Sequence, residues 1–161
     1  HNTKSIDDDA PRLSFVRKPV NLKIKGEHSN IVNVEVHPNH PSRGMRSFDV
    51  SSQSIWIEDQ DMAQSELRLK GFANISILDS DAQPRMAQLG SVERNDRRPI
   101  VHWLSDSGAK KATLIVAEDG ELNRYEGLLE THSYAHGIMV QIERIGYARV
   151  IDEVTLIFTH S

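Results

Sequence analysis

The stretch Val20-Asn21-Leu22-Lys23-Ile24 indicates the fold most clearly, because apolar and polar residues alternate along it without a break. Alternation with a period of two is typical of a β-strand that buries one of its faces. Gly26 ends this segment, and Val32, Val34 and Val36 repeat the pattern a few residues later. The two segments predict consecutive strands near the start of the chain.

The same pattern continues through the rest of the sequence. Further predicted strands cover Leu13–Phe15, Phe48–Val50, Ile55–Ile57, Glu66–Leu78, Ile100–Leu104, Ala112–Ala117, Ile138–Ile142 and Tyr147–Thr159, with a strand or a helical turn at Met86–Val92. Gly71 predicts a bulge or kink, and turn residues predict reversals at 79–84, 118–120 and, as a hairpin, 105–108. Leu122–Leu129 is the strongest candidate for a helix. Many short strands predict an all-β, immunoglobulin-like sandwich of about seven strands, with a closed barrel as the alternative.

The length of the chain favours a single domain. It has 161 residues and a mass of 18.2 kDa, and one hydrophobic core usually serves about 100–200 residues. Residues 1–15 are predicted to form a flexible N-terminal arm, since His1–Ala10 is polar and contains three consecutive aspartates. Residues 16–161 are predicted to form one β-sandwich domain.

Composition excludes several classes of protein. The net charge of −4 and the pI of about 6.1 argue against a partner that is a nucleic acid or an anionic membrane. The sequence has no apolar run of about 18 residues, so membrane insertion is not expected. Cysteine is absent, which removes disulfides, thiolate metal sites and cysteine nucleophiles. The chain starts at His1, which is consistent with either a removed signal peptide or a residual tag.

Histidine pairs are the first candidates for chemistry. His37 and His40 are three residues apart, and His132 and His136 are four apart, so imidazole ligands for a metal are available. Prolines and Gly137 beside them indicate loops, and neither spacing gives one face of a strand. We therefore expect surface histidines, no metal site and no cofactor.

No other motif points to catalysis. The sequence lacks a nucleophile elbow, a P-loop and a dinucleotide-binding glycine motif. Trp56 and Trp103 stand beside aliphatic strand residues, which predicts core aromatics rather than a sugar-binding platform. The glycosylation triplet at Asn74 lies inside a strand pattern and is discounted. The chain is therefore predicted not to be an enzyme.

The two ends of the predicted domain carry strong alternating strands. The stretch Val16–Lys25 follows the predicted arm, and Gly146–Thr159 runs almost to the last residue. An alternating strand beside a loose terminus is suited to pairing with another molecule by β-strand addition.

These ends resemble a known family. The closing stretch, with Tyr147 and then alternating Val154, Leu156 and Phe158, looks like the last strand of chaperone–usher pilins. The opening stretch Val16–Lys25 resembles the donor segment of CFA/I-type (class 5, alternate chaperone–usher) fimbrial subunits, and Arg98–Ser105 is similar to a middle strand of that family. The absence of cysteine agrees with this branch.

The resemblance implies a structural or minor subunit of an adhesive surface pilus, assembled by donor-strand exchange. It implies a donor strand that uses Val16, Val20, Leu22 and Ile24, and an acceptor groove beside Val154, Leu156 and Phe158. The implied partners are neighbouring pilin subunits, a periplasmic chaperone, an usher and a host receptor for cell adhesion. The implied location is the periplasm in transit and then the cell-surface fimbrium.

Other interpretations of the sequence stay open. The main alternative is a self-complete periplasmic or surface β-sandwich that binds a glycan or a protein. An immunoglobulin-like chaperone or secretion accessory is a third hypothesis, and a hydrolase is the least favoured.

Overall fold

The structure is a computed structural model that describes residues 10–37, 39–79, 81–94 and 97–161. Within these residues the chain forms sixteen β-strands, two 3₁₀ turns (Pro41–Arg43 and Asp59–Ala63) and no α-helix. The strands are β1 (Arg12–Leu13), β2 (Phe15–Arg17), β3 (Pro19–Lys25), β4 (Ile31–Glu35), β5 (Met45–Asp49), β6 (Ser54–Glu58), β7 (Glu66–Leu69), β8 (Asn74–Ile77), β9 (Met86–Leu89), β10 (Ile100–Val101), β11 (Leu104–Ser105), β12 (Ala109–Glu118), β13 (Glu121–Glu130), β14 (Met139–Ile142), β15 (Gly146–Asp152) and β16 (Thr155–His160). The all-β prediction is confirmed, whereas the immunoglobulin-like sandwich of about seven strands is not. Across the described ranges no helix is long and apolar enough to cross a membrane.

Contacts within the chain divide it into two compact units. The first unit takes its described residues from His1–Arg17, Glu35–Met45 and Ala109–Ser161. The second takes them from Lys18–Val34 and Arg46–Gly108. The prediction that 16–161 is a single domain stays a prediction. Of the predicted arm, 1–9 lie outside the described residues, and 10–15 contain β1 and the buried side chains of Leu13 and Phe15.

The first unit is built on a curled sheet of seven strands in the order β1-β14-β15-β16-β12-β13-β2. Its two edge strands, β1 and β2, follow one another in the chain with only Ser14 between them. The backbone of Ser14 exchanges hydrogen bonds with Glu130, since its N–H donates to Oε1 at 3.1 Å and its carbonyl accepts from the Glu130 N–H at 3.0 Å. The two edges of the sheet are therefore tied to each other, as in a barrel.

The second unit repeats this construction with other strands. Its sheet of seven strands has the order β10-β7-β8-β9-β3-β6-β11, and only His102 and Trp103 separate the edge strands β10 and β11. Trp103 is 2 % exposed, and its indole N–H donates to the Lys70 carbonyl at 2.9 Å. The aromatic rings of Phe48 and Phe72 pack against it, so the closing link is also part of the core.

Inward-facing apolar side chains fill each unit. The core of the first unit consists of Leu13, Phe15, Ala112, Leu114, Leu129, Val140, Ile142, Ala148, Val150 and Leu156. In β3 of the second unit, Val20, Leu22 and Ile24 are buried whereas Asn21 and Lys23 are half-exposed. The alternation predicted for this strand is confirmed. The strands β4 and β5 form a separate two-stranded sheet.

The candidate helix at Leu122–Leu129 does not form, because this segment lies inside β13. The strand β13 pairs with β12 in antiparallel register from Ala109↔Glu130 to Glu118↔Glu121. Asp119 and Gly120 join the two strands with φ angles of 50° and 78°, the positive values that two-residue hairpin turns require. The local turn and ten cross-strand partners outweigh the helix-like spacing of the leucines.

The predicted strand Tyr147–Thr159 is two strands, β15 and β16, which pair antiparallel. The carboxylate of Asp152 accepts a hydrogen bond from the Val154 N–H at 2.9 Å, and such local bonds favour a turn over a continuous strand. Glu66–Leu78 is likewise split into β7 and β8, and Gly71, with φ of 72°, lies in the turn between them rather than in a bulge.

The region from Ile100 to Gly108 also differs from prediction. Ile100–Leu104 is not one strand, since β10 and β11 pair with opposite edges of the same sheet. The reversal at 105–108 exists, because the Gly108 N–H donates to the Ser105 carbonyl at 3.2 Å. It is not a hairpin, because β11 and β12 belong to different sheets. Met86–Leu89 forms a strand, which decides between the two predictions for that segment.

Candidate functional site

The predicted donor residues are buried within the chain's own sheets. Val16 lies in β2 and is 0 % exposed, and Val20, Leu22 and Ile24 lie in β3, which pairs with β6 and β9. Each of these four side chains is already buried in a core of this chain, so no neighbouring molecule is needed to bury it.

The strand that holds most of the predicted acceptor residues does not pair with β2 or β3. Val154 lies in the turn before β16 and is 38 % exposed, Leu156 is buried and Phe158 is half-buried. The strand β16 belongs to one sheet and β3 to the other. The donor and acceptor roles of these residues therefore stay predictions, without support from their positions.

The histidine pairs lie in loops, as predicted. The rings of His37 and His40 are 4.7 Å apart, and His37 is fully buried rather than on the surface. His132 stacks on Tyr134 at 5.7 Å, and His136 contacts the Ile151 carbonyl at 3.0 Å. No group of three possible metal ligands occurs within the described ranges.

Three other residues singled out in the sequence are two tryptophans and Asn74. Trp56 is only half-buried, and its indole N–H donates to Asp106 at 2.9 Å, whereas Trp103 is a core residue as predicted. Asn74 is 4 % exposed in β8, so its side chain is inaccessible for glycosylation in the folded chain.

The second unit contains a polar cleft of about 390 Å³, lined by Gln64, Ser65, Glu66, Arg97, Arg98 and Pro99. One lip is the segment 64–66, which joins the 3₁₀ turn at Asp59–Ala63 to β7. The other lip is the segment 97–99, which precedes β10. Strands β7 and β10 run parallel, and the Arg68 N–H donates to the Pro99 carbonyl at 2.8 Å, so strand pairing holds the lips together.

Arg98, on the second lip, is held in place by contacts with both neighbouring segments. Its Nη1 donates to the Ile75 carbonyl at 2.7 Å, and its Nη2 lies 3.6 Å from Oε1 of Glu66. The Arg98 side chain is 20 % exposed and that of Glu66 is 62 % exposed. The Glu66 carboxylate therefore remains accessible to a ligand, and Arg97, which precedes Arg98 in the chain, is exposed.

A buried polar network holds the loop that leads to these arginines. Arg68, 8 % exposed, donates to Oδ1 of Asn74 at 3.2 Å and to the Val92 carbonyl at 2.9 Å. Nδ2 of Asn74 donates to the Glu93 carbonyl at 3.3 Å. The two hydrogen bonds that Arg68 donates are charge-assisted, and such bonds are the stronger ones in proteins. The backbone at Val92 and Glu93 is thus anchored on β7 and β8. Arg94, Arg97 and Arg98 come after it in the chain.

The chemistry of the cleft is that of a hydrogen-bonding site. It offers two guanidinium groups, an amide, a hydroxyl and one carboxylate, and no histidine that would act as an acid or base near neutral pH. Arginine forks, amides and carboxylates are the groups that read the edges of nucleobases. The arrangement therefore fits recognition of a planar polar group better than catalysis.

The long hairpin of the first unit is a poorer surface for an anion. Tyr125 is 43 % exposed there, and exposed aromatic rings can stack on bases. However, its hydroxyl donates to Glu118 at 2.6 Å, a hydrogen bond that raises the pKa of Tyr125 above its usual value. The same hairpin carries the acidic residues Asp119, Glu121 and Glu126. After Lys111, its basic residue is Arg124. These carboxylates repel a phosphate backbone.

The sequence indicated part of this site. Residues 94–98 are recognisable in the sequence as a charged loop closed by Pro99, although Asn95 and Asp96 lie outside the described residues. The sequence does not show that this loop lines a cleft together with Gln64, Ser65 and Glu66, because the two segments are distant in sequence. Two adjacent arginines before a proline are the signal that could have drawn attention to it.

Comparison with known proteins gives a consistent result. Residues 10–90 match the family described as "tRNA synthetases class I (E and Q), anti-codon binding domain". The chain is similar to the glutamate–tRNA ligase of Methanoculleus marisnigri, with 33 % identity over 92 % of this chain and 27 % of that protein. The ligases of Pyrococcus horikoshii and Thermofilum pendens are each 29 % identical over 99 % of this chain, which corresponds to 30 % and 29 % of their lengths. The chain thus spans less than a third of the relatives that it matches.

These matches overturn the functional predictions made from the sequence. The resemblance to CFA/I-type fimbrial pilins is wrong, and with it fall the pilus subunit, the periplasmic or surface binding domain, and the chaperone and usher partners. The prediction of export to a cell-surface fimbrium is wrong for the same reason. Two further predictions are contradicted by relatives that are tRNA ligases. These are that nucleic acid is no partner and that the chain is not an enzyme.

The physical reason for the error is that period-two alternation reports strands, not their topology. Alternating strands occur equally in curled sheets and in pilin sandwiches. The family match covers residues 10–90, just over half of the chain, including β3 and one lip of the cleft. This chain belongs to the anticodon-binding domain family of the class I (E and Q) tRNA synthetases.

Proposed function

We propose that this chain is the RNA-binding part of a glutamate–tRNA ligase and that it contacts the anticodon region of a tRNA. The observation that carries the proposal is the family match over residues 10–90, together with curated relatives that are glutamate–tRNA ligases. Since the chain spans about 27–30 % of those relatives, attachment of glutamate to tRNA is proposed for the whole protein. The site of action is then the cytoplasm, where tRNA is charged.

The polar cleft of the second unit is the contact surface that we assign to the RNA. Anticodon bases lie in a single-stranded loop, and proteins read such bases by hydrogen bonds to their exposed edges. The cleft concentrates guanidinium, amide and hydroxyl donors within about 390 Å³, a size within the range of about 300–1,000 Å³ that is typical of ligand sites. A chain with net negative charge can bind RNA in this way, because the contact depends on the local arrangement of donors.

Binding of a tRNA transcript to the 161-residue chain tests the proposal. We expect a transcript with a glutamate anticodon to bind more tightly than one whose anticodon loop has been exchanged. Arg97→Glu should weaken binding by about tenfold or more, because hydrogen bonds to charged groups contribute about 1.5–3 kcal/mol. Affinity should also fall as salt is raised. Fluorescence anisotropy at two salt concentrations measures both effects.

Arg124→Glu is the matched control, because it reverses an exposed arginine on the acidic hairpin of the other unit. We expect it to change affinity by less than about threefold, as for a long-range charge that salt screens. Equal affinity for both transcripts, or equal loss in the two variants, would contradict the assignment of the cleft as the RNA contact.

A further inference from the structure

The long hairpin of the first unit extends beyond the sheet to which it belongs. The strand β13 pairs with β2 only at Gly127–Leu129, and in the part of the chain that the structure describes no other strand lies on that side of residues 121–126. We call residues 116–126 the hairpin arm. Apart from Val116 and Asn123, which are half-buried, every residue of the arm is exposed. The arm therefore projects into solvent as a two-stranded ribbon.

The outer edge of β13 presents a row of main-chain groups along the arm. The Glu130 N–H donates across this edge to the Ser14 carbonyl at 3.0 Å, and the main-chain groups of successive residues point to alternate sides of a strand. The outward groups of the arm are therefore those of every second residue before Glu130, namely Leu122, Arg124 and Glu126. Within the described ranges no strand pairs with them, and such a row is a template for pairing with another strand.

The two faces of the arm differ in charge. Glu118 and Glu121 are directly opposite each other in the register of the hairpin, and Tyr125 on the same face donates its hydroxyl to Glu118 at 2.6 Å. Like charges placed directly opposite each other destabilise a sheet. The other face carries Leu122, 67 % exposed, opposite Ala117. A cation on the first face would relieve the repulsion and contact an aromatic ring, and an apolar side chain on the second face would cover the leucine.

We propose that the outer edge of the hairpin arm binds a basic, extended segment of another protein by β-strand addition. The main chain of the segment pairs with the outward groups of Leu122, Arg124 and Glu126, as in other complexes of this kind. Its arginine or lysine side chains lie beside Glu118 and Glu121, and its alternate side chains are apolar and cover Leu122. This interaction is separate from the RNA contact proposed above, because the arm and the polar cleft belong to different units.

The charge of the arm favours this partner over RNA and over a second copy of the chain. Residues 116–126 contain four carboxylates and one guanidinium, a net charge of −3. A phosphate backbone is repelled by such a surface, and a second arm with the same charge is repelled as well. A basic segment is attracted, and complementary charge of this kind selects among possible partners.

Binding of a basic model peptide to the 161-residue chain tests the proposal. The probe is a fluorescent peptide in which arginine and valine alternate, and its control peptide has the same composition with the two residue types in separate blocks. We expect the alternating peptide to bind about fivefold more tightly, because only alternation places all cations on one face of a strand. Fluorescence anisotropy at low salt measures both affinities.

Two substitutions of one residue separate strand pairing from charge. Arg124→Ala and Arg124→Pro both remove the guanidinium, but only proline also removes the outward N–H, and proline is tolerated at a strand edge that faces solvent. We expect Arg124→Ala to bind the alternating peptide at least as tightly as the unaltered chain. Arg124→Pro should bind it about fivefold more weakly, the factor that one main-chain hydrogen bond provides.

Amide hydrogen exchange in the unaltered chain gives a readout that needs no variant and decides alone if Arg124→Pro does not fold. The alternating peptide should slow exchange at Leu122, Arg124 and Glu126. It should leave Asn123 and Tyr125 unchanged, because their N–H groups already face β12.

Several results would overturn the inference. These are equal binding of the two peptides, equal binding by the two variants, or exchange that the peptide does not slow at the three outward amides. If Arg124→Pro weakens binding of the tRNA transcript instead, the arm is an RNA contact. If sedimentation shows a dimer of the unaltered chain that Arg124→Pro dissociates, the occupant is a second copy, and the basic partner is again excluded.

Discussion

Glu58 and His102 form a buried polar pair inside the second unit. Nε2 of His102 lies 3.3 Å from Oε2 of Glu58, and both side chains are 1 % exposed. Gln60 donates to the other carboxylate oxygen at 2.6 Å. The pair sits at the two-residue link between β10 and β11, so its hydrogen bonds stabilise the closing point of the sheet.

Removal of this carboxylate should destabilise the chain strongly. We expect Glu58→Ala to lower the free energy of unfolding by about 3 kcal/mol, because a buried partner then loses its hydrogen bond. Chemical denaturation measures the change. The exposed variant Glu93→Ala should cost less than about 0.5 kcal/mol. Similar small losses in both variants would show that the pair contributes little to stability.

His132, in the loop between β13 and β14, responds to pH through burial. Desolvation lowers the pKa of His132 below its ordinary value of 6.5, and Lys110 acts in the same direction, whereas Glu153 and Asp152 oppose the shift. Its Nδ1 accepts a hydrogen bond from the Tyr134 N–H at 3.1 Å, which favours the neutral ring.

The stability of the chain should therefore fall as the pH drops below about 6.5, since the unfolded histidine takes up a proton before the folded one does. Above that pH the ring is neutral in both states and the penalty is absent. We expect His132→Asn, which keeps an acceptor but does not titrate, to reduce the loss of stability between about pH 7 and pH 5.5. Denaturation curves at these two pH values measure the difference. An identical pH dependence in both proteins would contradict this explanation.

The hairpin of β12 and β13 depends on a glycine where it meets β2. Gly127 pairs with Arg17 in the antiparallel register. A Cβ at Gly127 would lie 2.5 Å from the Val16 carbonyl oxygen and 2.8 Å from Cζ of Phe15. The carbonyl belongs to the paired strand and cannot move without breaking the sheet, so this position requires the absence of a side chain.

Gly127→Ala should consequently destabilise the first unit by about 2 kcal/mol, as overpacking of a dense core does. Gly90→Ala is the comparison, because a Cβ there would make only ordinary contacts, at 3.5 Å or more. We expect the second substitution to be neutral or nearly so in thermal unfolding. A stable Gly127→Ala protein would mean that β2 can shift away from β13.

The strands could be predicted from sequence where the alternation is strict, as in β3, because each residue's face follows from its own neighbours. β13 could not, because its leucines at 122, 128 and 129 fit a helix as well as a strand. The turn at Asp152 was missed because it depends on one side-chain hydrogen bond. The cleft could not be predicted, because parallel pairing of β7 with β10 joins segments that the sequence separates.

The net charge of the whole chain is a poor guide to the RNA partner that we propose. The net charge of −4 argued against RNA because phosphate contacts dominate the affinity of most nucleic-acid binders. A site that reads base edges depends instead on a few donors and acceptors in fixed positions. The relevant quantity is therefore the local chemistry at residues 64–66 and 97–99.

The order of the strands has a consequence for the synthesis of the chain on the ribosome. All strands of the second unit's sheet lie between Pro19 and Ser105, so this sheet can close before the rest of the chain has been translated. The first unit opens with β1 and β2, whose partners β14 and β13 are among the later segments to emerge. During that interval Leu13 and Phe15 lack the strands that form their core, and these two apolar side chains stay exposed on the nascent chain until residues 109–160 have been made.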